Sequence, residues 1–432
     1  MNAQQALLDL ILPLKIVDTH EHLPLERDLS RQNTDVLASW LNQYFSCDLV
    51  SAGLTPKELE EVRKPGGDLL ARWKKVEKFW HAAESTGYGR ALALAARDLF
   101  DTPRIDAGSI VELNARLLNA RNRKDYYRWL LGGKCGLAVS IRDSFDPAMP
   151  DTLQAPDPFV FTLRTDPFIM PTHRTQMREI GHRVGVTVTA LEDWEETVRR
   201  TIETYLAEPS RVVCLKCGLA YNRELRFEKA TRAEAEQGFN QFFGDEHSPS
   251  WRPPLSTPKA LQDYMQHVVC RIADEHGLVY QVHTGLQEGN GNILAHSNPT
   301  LLTNLFLNYE NVKFDLFHIG YPYVMEAGAL AKNFRNVFLD MCWAHIISPE
   351  ASRRALVEWL DAVPANKIMG FGGDYGFPEG VYGHQYLARR NIAAALAQKV
   401  DDGSFDLERA SEIARWLLVD NPVNLFGLQA HV

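Results

Sequence analysis

Short apolar runs recur along this chain, separated by longer stretches in which apolar positions return every three to four residues. The runs fall at 16–22, 135–141, 159–165, 212–216, 278–283, 312–318, 337–341 and 368–374. Runs of this length read as buried strands, and the intervening 3.6-residue period reads as amphipathic helix. About eight strands joined by crossover helices predict an α/β protein built as a closed (β/α)8 TIM barrel rather than an open sheet.

Two stretches exceed a minimal barrel. The segment 23–133 is far longer than one crossover and carries helical patterns at 56–63, 68–83 and 91–100, so it predicts a helical cap inserted over one barrel mouth within a single domain, 1–432. The segment 239–258, with Pro249, Pro253, Pro254 and Pro258, predicts a long irregular loop before a helix at 260–276. No internal repeat or low-complexity tract is present.

With 432 residues, 45% hydrophobic and 23% charged, the chain has the make-up of an ordinary globular protein with a large core. A net charge of -9 argues against general affinity for nucleic acid or anionic membrane, leaving a small-molecule substrate as the expected partner and a homo-oligomer compatible. Residues 1–14 lack the pattern of a secretory signal, and no run approaches the ~20 apolar residues of a membrane span, so a cytoplasmic location is expected. Six cysteines are too few for a disulfide framework. Cys214-Leu-Lys-Cys217 lies in a strand-like run, not at the start of a helix, which disfavours redox or zinc-thiolate use.

Chemistry concentrates at the run ends. In Asp18-Thr19-His20-Glu21-His22 the period of two sends both imidazoles to one side, where they can share a metal such as zinc or a neighbour in its row. Lys216, His283, His318 and Asp374 each stand at or near the end of a later run, and barrel enzymes place their active site at that end. Lys216 is in phase with Cys214, and Asp374 with Gly372 and Gly370, whose missing side chains leave room at the axis. A lysine whose pKa is lowered by metals and burial can take up carbon dioxide to give a bridging carbamate; alternatively it pairs with a substrate carboxylate beside a single metal.

These six residues, with Lys216-Cys-Gly-Leu-Ala-Tyr221-Asn-Arg223, Gln281-Val-His283-Thr-Gly285, His318-Ile-Gly-Tyr-Pro322 and Gly372-Gly-Asp374-Tyr-Gly376, resemble the amidohydrolase superfamily. The likeness is to its amidohydrolase-2 group, and within that to the nodulin-like domains found fused to glutamine synthetase. It covers 16–426. The resemblance implies a distorted TIM barrel in which His20, His22 and Asp374 hold one divalent ion and His283 with His318 the other, bridged by carbamylated Lys216 and solvent. Zinc is the expected metal, with manganese or iron as alternatives, and Asp374 and His318 are the expected catalytic residues. The implied reaction is hydrolysis of an amide, or of an ester or lactone, of a small carboxylate-bearing molecule. Decarboxylases belong to the same group and uronate isomerases are distant relatives, often with one metal and no lysine ligand, so that alternative stays open. A non-catalytic scaffold or ligand-binding barrel would be expected to have lost ligands, and all six are present.

For the substrate, Arg223 is the first expected carboxylate clamp because a guanidinium fork matches that group. Arg164 and Arg142 follow; Tyr221 and Tyr321 are expected to donate to substrate oxygens, and Trp80 and His81 to close the pocket. Asp18 is expected to face inward and orient His20. Glu21 should point away from the metals, and His173, His182, His345 and His384 should be structural.

Overall fold

Eight parallel strands form one sheet in sequence order: β1 Ile16–Glu21, β2 Leu137–Arg142, β3 Phe159–Arg164, β4 Val212–Cys217, β5 Val279–Val282, β6 Lys313–Leu316, β7 Val337–Asp340 and β8 Ile368–Met369. The computed structural model describes residues 2–29, 32–144, 158–207, 211–244 and 256–432. Each expected run contains a strand. The barrel closes through the backbone beyond β8, where Thr19 N donates to Phe371 O at 3.1 Å, Asp374 N to His20 O at 2.8 Å and His22 N to Tyr375 O at 3.0 Å.

Alternation along the strands sorts the interior into levels. Val17, Val139, Ile141, Val160, Cys214, Val279 and Met369 pack together in the lower barrel, plugged by Leu425, Phe426 and Leu428 near the C-terminus. One level higher, Lys216, Gln281 and Asp315 stand in register on β4, β5 and β6, all buried. The polar groups therefore begin where the apolar plug ends.

β1 breaks its own alternation. Val17 belongs to the interior cluster, so Asp18 faces outward: it accepts from Ser140 Oγ at 2.9 Å and from Gly373 N at 3.0 Å. A register shift between Asp18 and Glu21 then turns His20 inward as well. Asp18 is thus not beneath the His20 ring, contrary to the strict period-two expectation. Glu21 does face away, accepting from Tyr375 N at 2.8 Å, and a Cβ on Gly373 would lie 1.6 Å from its Oε1.

The helices follow their local signals. Pro56–Arg63 begins on a Thr55–Glu58 capping box and Leu69–Ala83 on Asp68. The pattern at 91–100 extends back to Gly87–Phe100 because Thr86 caps it, and the helix expected at 260–276 is Lys259–His276. The helix Arg232–Phe243 runs into the segment expected as a loop, held by stacked Phe239 and Phe243, while 245–255 lies outside the described residues. Among the described residues no helix is long and apolar enough to cross a membrane.

The 23–133 insertion is helical and welded to the barrel flank. Arg121 makes a two-pronged ion pair with Glu379 at 2.8 and 2.6 Å, joined by the Tyr126 hydroxyl, and all three are buried. Gly383 lets the helix Pro378–Asp401 meet Gly87–Phe100 backbone to backbone, since a Cβ there would lie 2.1 Å from Ala91 O. Through this packing the insertion brings Gln43 and Tyr44 to the barrel mouth.

Candidate metal centre and active-site cleft

Four imidazoles converge at the C-terminal mouth, and in each the second ring nitrogen contacts an acceptor. His22 Nδ1 lies 3.1 Å from Asp143 O, His318 Nδ1 2.9 Å from Cys342 O and His283 Nε2 3.0 Å from Leu286 O. Gln281 Nε2 donates to Thr19 O at 2.9 Å, which presents its Oε1 to His20 Nδ1 at 3.3 Å. A carbonyl oxygen only accepts, so these nitrogens carry protons, and a ring protonated there alone turns a lone pair inward.

The inward atoms then face one another without a donor between them. His283 Nδ1 and His318 Nε2 are 2.9 Å apart, His22 Nε2 is 3.2 Å from Asp374 Oδ1, and His20 Nε2 is 3.7 Å from the same oxygen. His20 Nε2 has no hydrogen-bond partner among the described residues. Lone pairs at such distances repel unless a cation lies among them. A proton is a poor candidate: burial lowers His20 and His283 well below the usual histidine range and His318 to about 4. The donor set fits a divalent transition ion. Asp143 extends the first group, since His20, His22 and Asp143 offer ligand atoms within 4.8 Å of one another, as do His318, Cys342 and Asp374.

The loops that carry these groups are strained in a consistent place. His318, Ile319, Trp343 and Asp374 have φ between 52° and 64°, the left-handed region that non-glycine residues avoid. Each costs on the order of 1 kcal/mol or more, and strain of this kind gathers at functional sites.

A cleft of about 230 Å³ opens over the cluster. His20, His22, Lys216, His283 and Asp374 line it; His318 sits behind His283. Burial lowers the Lys216 pKa, with Asp374 opposing, and its Nζ rests 3.5 Å from the centroid of the Phe317 ring. Arg164 also lines the cleft, bonded to Asp143 at 2.5 Å and Asp166 at 3.1 Å. Burial pushes Asp143 up, but Arg164 outweighs it and holds the carboxyl down at about 2. Gly218 permits this arrangement, because a Cβ there would lie 2.7 Å from Arg164 Nη1.

A family model for amidohydrolases matches residues 168–428. The chain belongs to the amidohydrolase family, within its amidohydrolase-2 group. Protein fluG of Emericella nidulans is 27% identical over 250 residues, which span 56% of this chain and 28% of that protein. A uronate isomerase of Cutibacterium acnes is 29% identical over 106 residues, 24% of this chain and 23% of that protein. The chain thus matches about a quarter of the length of these curated relatives. The crystal structure of a uronate isomerase from Thermotoga maritima superposes over 99% of this chain and 98% of its own, with TM-score 0.78 and 16% identity, a shared fold.

The expected substrate groups divide between the cleft and the surrounding fold. Tyr221 lines the cleft, its ring 4.6 Å from that of His283. Arg223 does not: its guanidinium donates to Gln262 at 2.8 Å, Asp263 at 2.7 Å and Arg226 O at 2.7 Å, and lies over Phe227. The fork is spent clamping the loop after β4 to the helix Lys259–His276. Tyr321 packs against the core and Arg142 donates to Leu23 O on the outer face of β2; neither lines the cleft. Trp80 is buried against Phe45 and Trp73 within the insertion, and His81 is exposed. The insertion instead supplies Tyr44, whose hydroxyl donates to Asp374 O. Gly370 leaves no space at the axis, since its Cβ would meet Leu417 O at 2.9 Å.

Sequence reasoning passed over Asp143, Gln281 and Cys342. Parity holds the missing signal: Asp143 is in phase with Val139 and Ile141, and Gln281 with Val279 and His283. Gln281→Leu removes the acceptor that fixes the His20 ring. Metal affinity, read by chelator competition, is expected to fall about 10–100-fold, and an unchanged affinity would mean that His20 is oriented by something else.

Proposed function

We propose that this protein is a binuclear divalent-metal hydrolase that cleaves an amide, or an ester or lactone, of a small carboxylate-bearing molecule. The observation that carries the reading is the second histidine pair, whose facing nitrogens lie 2.9 Å apart and add two donors to those of His20, His22 and Asp374. Zinc suits imidazole and carboxylate donors, with manganese or iron as alternatives. Divalent ions held there would polarise the scissile carbonyl and lower the pKa of the attacking water.

The residues of the chain do the rest. Lys216, whose pKa burial lowers, can in its neutral form take up carbon dioxide through its lone pair and lose a proton, giving an anionic carbamate. Asp374 Oδ1 lies 3.2 Å from His22 Nε2, and a divalent cation held between them would keep its carboxyl ionised at neutral pH. It accepts a proton from the attacking water and delivers it to the departing amine as the carbon–nitrogen bond breaks. Arg164, bonded to Asp143 and Asp166, is the arginine that lines the cleft and the cation we assign to a substrate carboxylate. The expected cytoplasmic setting remains part of this proposal, and a homo-oligomer stays compatible with it.

Metal analysis after exposure to bicarbonate tests it. Two ions per chain and a one-carbon-dioxide mass increment on Lys216 are expected. Lys216→Ala should retain no more than one ion and lose turnover; one ion in the parent protein with an unmodified lysine would overturn the binuclear reading.

A second reading, isomerisation of a uronate, draws on the similarity to uronate isomerases and on the polar side chains Gln43, Tyr44 and Asn222 in the cleft. Turnover of uronates but not of amides or lactones by the metal-loaded protein would select it.

A further inference from the structure

The loop after β5 brings an acidic side chain to the cleft that the hydrolytic machinery does not use. Glu288 lines the cleft and is half-buried; Cys47 Sγ lies 3.9 Å from its Oε1, and among the described residues no cation makes an ion pair with it, Arg63 acting only through its charge. Its position is fixed by several independent bonds. Glu288 N donates to the Tyr221 hydroxyl at 3.1 Å, Gln287 Nε2 to Ala220 O at 3.0 Å and Asn290 Nδ2 to Cys47 O at 3.1 Å. Asn292 Nδ2 donates to Gln287 O and Gly289 O, both at 2.9 Å, bracing the turn from within. Gly289 and Gly291 have φ of 93° and 84°, which lets the loop fold back over the mouth.

The charges of the cleft are arranged along its length. Arg164 lies beside the metal ligands on β3, while Glu288 stands across Tyr221, one tyrosine length from His283. Burial and the negative charge of Asp374 both disfavour a carboxylate there, with Cys47 and Arg63 opposing, so a cation bound beside the group would stabilise its ionised form. A hydroxyl would hydrogen-bond to the group but would leave its charge uncompensated.

We propose that Glu288 determines specificity by binding a protonated amine at the end of the substrate remote from the bond that is cleaved. The substrate class is then an amide bearing an ammonium group several bonds from its carbonyl, a deepening that rests on the hydrolase reading. Gln43, whose Oε1 accepts from Gly376 N, lines the same cleft and adds a polar neighbour for that group.

Binding is read separately from turnover. Calorimetry on the metal-loaded protein with 5-aminopentanamide, 5-hydroxypentanamide and pentanamide is expected to show the ammonium compound binding at least about tenfold tighter than the other two. Glu288→Gln, nearly isosteric, should erase that margin and leave metal content unchanged; in turnover it should raise KM for the ammonium amide with kcat within about twofold. Glu288→Lys should reverse the preference toward 4-carboxybutanamide, which guards against a variant that merely disturbs the loop. Equal affinities in the parent protein, no binding of the ammonium compound, or a margin that survives Glu288→Gln would overturn the proposal. Discrimination in binding without turnover of any amide would instead fail the hydrolase reading and leave the role of Glu288 standing.

Discussion

Asp374→Asn is expected to lower kcat by on the order of 10³-fold or more while the chain remains folded. The substitution keeps the size of the side chain and removes two things. The amide nitrogen cannot accept the proton that the carboxylate takes from water, a step worth about 10²–10⁴-fold in general acid–base catalysis. The negative charge facing His22 Nε2 at 3.2 Å and His20 Nε2 at 3.7 Å is also lost, so metal occupancy should fall together with rate. Metal content, kcat and the far-ultraviolet circular dichroism spectrum, measured on one preparation, separate loss of chemistry from loss of fold. A variant that retains its metal and turns over within tenfold of the parent would remove Asp374 from the machinery.

Arg223→Ala is expected to act on stability, not on the cleft. Its side chain is 9% exposed and that of Asp263 3%, so removal leaves a buried carboxylate short of a partner. Breaking a buried pair in this way costs about 3–5 kcal/mol. Lys259 also contacts Asp263, and this second cation should hold the loss near the lower figure. The stacking on Phe227 is lost as well. Denaturant unfolding should show a lower midpoint, while KM stays within about twofold. A tenfold rise in KM at unchanged stability would return Arg223 to the site.

The contrast between Arg223 and Arg164 shows what local pattern omits. Both are arginines in or beyond a strand end, and the sequence near Arg223 looked the richer of the two. Which one reaches the cleft depends on what lies opposite: the helix Lys259–His276 presents Gln262 and Asp263 to Arg223, some forty residues away in sequence. Tyr321 and Trp80 were displaced for the same reason, each finding a packed neighbour before it could find the cleft.

Sequence by itself determined the eight strands, the barrel class, the helical insertion and the approach of His20, His22, Lys216, His283 and Asp374 to one mouth. These follow from side-chain periodicity and from parallel strands whose ends must share a rim, both local or topological rules. Tertiary structure alone decided the rest. The bulge that turns His20 toward the axis, the carbonyls that face each imidazole's second nitrogen, and the presence of Arg164 but not Arg223 in the cleft wall all depend on atoms brought together from distant segments. A residue's type and phase limit where it points; its long-range partners decide whether its polar atoms are spent on the fold or left facing the substrate.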